Sequence, residues 1–75
     1  MKMIYLNTNI ATIVKEHPEV KDILFNLGFT EIVKPQMLLT VARFMTIKQG
    51  CKMRNIDFNH VLEVFKNNGF ELKEE

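Results

Sequence analysis

The chain has 75 residues, 47% apolar and 25% charged, and its 10 basic and 9 acidic side chains leave a formal net charge of +1. That length suits one domain, residues 1–75, near the size at which a single core only just stabilises a fold, and the apolar content excludes a disordered tail. Apolar runs reach only a few residues, which excludes a membrane-spanning helix of about 20, and the lone Cys51 excludes an internal disulfide.

Met3-Ile4-Tyr5-Leu6 is apolar and favours a strand, but Asn7, Thr8 and Asn9 follow before a signal-peptide core can form. The protein is therefore expected in the cytoplasm, where a single reduced thiol is at home. Thr8 or Asn9 can cap a first helix that points Ile10, Ile13 and Val14 inward. It should stop at His17, because the residue before Pro18 is pushed out of the α region.

Pro18 suits the first turn of a second helix, and Glu19 and Asp22 suit its positive end. Val20, Ile23, Leu24 and Leu27 form its stripe, Gly28 is the left-handed cap, and Phe29 closes that cap with an apolar contact. Pro35 starts a third helix whose buried face is Leu38, Val41, Ala42 and Met45. Thr46 and Gln49 have capping-box spacing and open a fourth helix with Ile47 and Cys51 on one side, ended by Asn55.

Asp57 caps the longest helix, with Phe58, Val61, Leu62 and Phe65 as its stripe and Asn68-Gly69 as its stop. Phe70-Glu71-Leu72 can then pair with residues 3–6 as a small two-stranded ribbon joining the two ends, provided it packs on something else. The fold class is therefore mainly α, a compact array of about five short helices with that ribbon. Its expected core is Ile13, Val20, Leu24, Leu27, Phe29, Leu38, Val41, Ile47, Val61, Leu62 and Phe65, with the five methionines as adaptable filling.

The stretches KEHPEVKDILFNLGF and KPQMLLTVARFMTIKQGCKMRNIDFNHVLEVFKNNGFEL carry a further signal. With His17-Pro18-Glu19, Leu27-Gly28-Phe29, Met37-Leu38, Thr40-Val41 and Met53 through Asp57 as its most specific pieces, the chain resembles a family of small bacterial domains of unknown function. The likeness runs from about Asn9 to Leu72. It implies a compact helical fold, found both as stand-alone proteins and as N-terminal modules of sensory proteins with hemerythrin-like or PAS regions. A related branch, the redox disulfide domain associated with hybrid cluster protein, places a Cys-x-x-Cys just after the Gly-Phe pair. Those positions are Glu31 and Lys34 here, so the resemblance implies a non-catalytic accessory module and not a redox protein.

No catalytic signature stands in the sequence. His17, His60 and Cys51 lack any metal-ligand spacing, so neither a metal nor another cofactor is expected. Cys51 falls mid-helix without an activating base and reads as a small buried hydrophobe. The isolated glycines of NLGF and NNGF make no phosphate-cradling loop.

Charge is distributed less evenly than the net value suggests. Between Glu31 and Asp57 there is no acid, while Lys34, Arg43, Lys48, Lys52 and Arg54 all fall there. Arg43, Lys48, Lys52 and Arg54 are the candidate partner-binding residues, either for an acidic protein surface or, as the alternative, for a nucleic acid or nucleotide through residues 34–54. Residues 46–65 have the outline of a helix-turn-helix, but such a reader contacts bases from the start of its second helix, where Asp57 would face phosphates. The sequence therefore favours a protein-binding or sensing-related module over an enzyme or a DNA reader.

Overall fold

The chain folds as β1 (Lys2–Tyr5), α1 (Ile10–Glu16), α2 (Val20–Leu27), α3 (Pro35–Leu38), a 3-10 turn (Val41–Arg43), α4 (Ile47–Arg54), α5 (Phe58–Asn67) and β2 (Phe70–Lys73). These elements come from a computed structural model, which describes residues 1–74. The expected class is thus found: five short helices and a two-stranded sheet that joins the two ends of the described chain. The strands are parallel, with Lys2 opposite Phe70 and Ile4 opposite Leu72, so all five helices form the crossover that a parallel pair requires.

The ribbon packs on the α1–α2 junction, which supplies the support it needs. Ile4 and Phe70 are buried, His17 meets the Phe70 ring edge-on at 5.3 Å, and Lys2 Nζ lies 3.3 Å from Glu19 Oε2. His17-Pro18-Glu19 therefore joins two helices and also anchors the first strand.

Local signals set most helix ends. Asn9, not Thr8, caps α1, its Oδ1 accepting from the Thr12 amide at 2.8 Å. The turn at Pro18 and Glu19 precedes α2, whose first regular residue is Val20. At the far end Gly28 is left-handed (φ 111°), and the Phe29 amide donates to the Leu24 carbonyl at 3.0 Å while that of Gly28 donates to Phe25. The Thr46–Gln49 capping box forms in both directions, Asn55 is left-handed (φ 55°), and Asp57 Oδ1 accepts from the Asn59 amide. The two N-caps also pair in an antiparallel bridge, Asn9 with Thr46, so α1 and α4 start side by side.

One contiguous core lies between these elements. Ile13, Val20, Leu24, Phe29, Ile47, Val61 and Phe65 are buried as their spacing requires, and Leu27 and Leu38 pack half-buried against them. Leu62 is only partly buried, at the rim of a shallow groove beside Met1 and Phe70. Ile4, Leu6 and Phe70 from the ribbon region, and Ile32 and Val33 from the turn before α3, complete the interior. Cys51 is buried, whereas Met1, Met3 and Met53 are exposed, so the methionines are not uniformly core filling.

The third helix departs from expectation. Instead of continuing to Met45 it stops at Leu38, and Thr40 takes φ −125° and ψ −90° before the 3-10 turn. Thr40 Oγ1 donates back to the Gln36 carbonyl at 2.8 Å, and its amide goes to Met37 three residues earlier, both of which tighten and bend a helix end. The break lets small Ala42 bury completely where the turn packs on α1. It also turns Val41, expected in the core, toward solvent.

Candidate functional site

Lys48 and Lys52 stand one turn apart on α4 and line the same groove, with Thr46, Asn55 and Phe58 around it. Arg43, on the 3-10 turn, lines a separate hollow with Lys15, Leu39 and Phe44. Arg54, at the end of α4, borders a cavity shared with Glu31. The structure therefore brings together two of the four candidate residues and spreads the other two over adjoining hollows.

Lys48 already has partners. Its Nζ lies 2.6 Å from Glu74 Oε1 and 5.8 Å from the centre of the Phe58 ring. The hydrogen bond and charge of Lys48 hold the Glu74 carboxyl below the usual carboxylate range. Among the described residues no carboxylate forms an ion pair with Arg43, Lys52 or Arg54. Glu31 and Lys34, at the cysteine positions of the redox branch, form an ion pair at 3.1 Å.

Between the basic residues lies an apolar surface, of which the expected core contained only Val41. Phe44 is 84% exposed, Leu39 73%, Met53 71% and Val41 40%. Val41, Met45 and Met53 line both an open trough, with Phe44, Gln49 and Lys52, and a cavity of about 120 Å³. The cavity is completed by Phe29, Ile32, Met37 and Gly50. One sequence signal pointed here: Met37 through Met45 has only Thr40 and Arg43 as polar residues, more apolar side chains than one helical face can bury.

The reactive side chains are placed differently. Burial pushes the Cys51 thiol up from its ordinary value, and the Asp57 charge adds to the rise, so the thiolate is disfavoured at neutral pH. His60 is exposed on the first turn of α5. Among the described residues no three His, Cys, Asp or Glu side chains come together as a metal site, and no helix is long and apolar enough to cross a membrane.

Comparison with known proteins gives two matches and one blank. No curated protein matches the chain. The fold is similar to the crystal structure of a conserved domain protein from Streptococcus pneumoniae TIGR4, at 33% identity and a TM-score of 0.90, over 97% of this chain and 92% of that one. A profile for the domain of unknown function DUF1858 matches residues 4–62, from the first strand into α5. The chain therefore belongs to the DUF1858 family, a domain of unknown function.

Proposed function

We propose that this chain is a non-catalytic module of the bacterial cytoplasm that works by binding another protein, a relative of domains attached to hemerythrin-like and PAS sensory proteins. The observation that supports this reading is the exposed apolar surface of Leu39, Val41, Phe44 and Met53. Contiguous apolar surface rimmed by charge is characteristic of protein contacts. The neighbouring Arg43, Lys52 and Arg54 favour an acidic partner, with Lys48 available once Glu74 is displaced.

The second reading, a nucleic-acid or nucleotide binder, is favoured by the acid-free stretch from Ile32 to Ile56 with its five basic residues. Against it, the cations are distributed over several hollows, and Asp57 stands at the start of α5.

A nuclease-treated pull-down from the native cytoplasm, with direct titration of duplex and single-stranded nucleic acid at two salt concentrations, separates the readings. A defined protein retained after nuclease, with weak nucleic-acid binding, is expected. Tight nucleic-acid binding that falls steeply with salt and disappears in the Lys48→Glu/Lys52→Glu variant would replace this proposal with the second reading.

A further inference from the structure

We infer that the cavity between the 3-10 turn and α4 is a socket for one aliphatic side chain of an acidic peptide segment in the partner. The inference rests on the protein-binding reading above and names the surface and chemistry of that contact.

Size argues for a single side chain. The cavity holds about 120 Å³. An apolar cavity of about 150 Å³ takes one benzene, whereas ligand pockets for drug-sized molecules run to about 300–1,000 Å³. The space therefore fits a leucine, isoleucine or methionine side chain and is too small for a cofactor. Met37, Met45 and Met53 in its lining are flexible and polarizable, which suits a knob whose shape is not fixed in advance. Gly50 lets α4 approach the cavity floor, because a Cβ there would meet Phe29 Cε1 at 2.9 Å.

Charge selects the partner. Lys52 lines the adjoining trough, Arg54 lines the cavity, and Arg43 follows beyond Phe44. Glu31, the one acid in the cavity lining, is neutralised by Lys34 at 3.1 Å. A segment with Asp or Glu flanking its aliphatic residue would thus meet cations without ion-pair partners among the described residues. A second copy of this chain would instead bring like charges together around the same apolar centre, which is repulsive. A flat bilayer has no knob to fill a concave socket. The fit is to an acidic segment of another protein.

The test selects ligands from a displayed library of random linear peptides of about 16 residues on the full chain, then titrates synthetic copies of the enriched sequences. Enriched peptides should share Leu, Ile or Met with acidic neighbours. Their affinity should fall about tenfold in Met53→Glu, which changes an exposed residue, and about threefold in Lys52→Glu, with thermal midpoints close to wild type. Methyl signals of labelled Met45 and Met53 should shift as peptide is added.

Peptides that lack the shared anchor and acids, or that bind Met53→Glu and a cavity-filling Val41→Trp as well as wild type, would overturn the socket. So would a dimer in sedimentation that Met53→Glu dissociates, or binding to phosphatidylglycerol vesicles without any peptide enrichment. A nuclease-resistant protein partner that binds Met53→Glu and wild type equally would refute the socket while leaving the protein-binding reading intact. Failure to recover any protein partner would remove both.

Discussion

Residues 35–45 and residues 46–56 are adjacent stretches of equal length, and each opens on a helix-start signal, Pro35 in one and the Thr46 capping box in the other. The first is far richer in apolar side chains, yet it yields one turn of helix, a kink at Thr40 and a 3-10 turn. The second yields a regular helix with both ends satisfied, its amide at Ile56 reaching the Cys51 carbonyl at 2.9 Å. Regularity therefore follows from apolar residues confined to one stripe between matching caps, and not from apolar content. The surplus in residues 35–45 goes to solvent, where it forms the rim of the candidate docking surface.

The largest expected effect contrasts the core with that surface. Leu24→Ala or Phe65→Ala should lower stability by about 2–5 kcal/mol, because each removes a fully buried side chain that its surroundings cannot replace. Leu39→Ala and Phe44→Ala should stay within about 0.5 kcal/mol while weakening the proposed protein contact. Denaturant titration of the four variants measures the contrast. Comparable losses in both pairs would mean that Leu39 and Phe44 belong to the core.

Gly50→Ala comes next, since a Cβ there would meet the Phe29 ring at 2.9 Å. Alanine improves helix propensity by about 1 kcal/mol but overpacks a buried ring, at about 1–3 kcal/mol. A net loss of roughly 1 kcal/mol is expected, together with weaker peptide binding as Phe29 shifts into the cavity. A gain in thermal stability would show that the ring yields freely.

Thr46→Ala against Thr40→Ala sharpens the comparison further. The first removes a cap that accepts from the Gln49 amide at 3.3 Å, and should cost about 1 kcal/mol. The second removes only the back-bond to Gln36 on an exposed segment, and should cost less than about 0.5 kcal/mol. Equal costs would make the kink as important to the fold as the cap.

How much of this was legible follows the same division. Caps written in short motifs, such as Asp57 before Phe58 or Gly28 before Phe29, fix helix ends locally and could be read without the fold. The ribbon was visible as two β-favouring pieces, but its parallel register and the burial of Phe70 depend on contacts more than fifty residues apart. Ile32 and Val33 belong to no periodic stripe, so their burial had no signal beyond being apolar. The basic residues were legible as a charge run, but their distribution over separate hollows depends on the break at Thr40 and on how α4 packs.

The smallest expected effect tests whether α4 keeps its buried side closed. Burial and the Asp57 charge raise the Cys51 thiol above its ordinary value, so the folded chain holds that proton at a pH where the unfolded chain has released it. The contribution to stability is therefore complete below the unfolded thiol value, near 9.0, and is lost as pH rises through the folded one. Between about pH 8 and about pH 10 the thermal midpoint of wild type should fall more than that of Cys51→Ala. The alanine variant's own packing loss shifts its whole curve without changing the slope. Parallel curves would mean that Cys51 ionises as it does in the unfolded chain. The groove between Lys48 and Lys52, which Cys51 also lines, would then open to solvent more readily than the buried stripe of α4 allows.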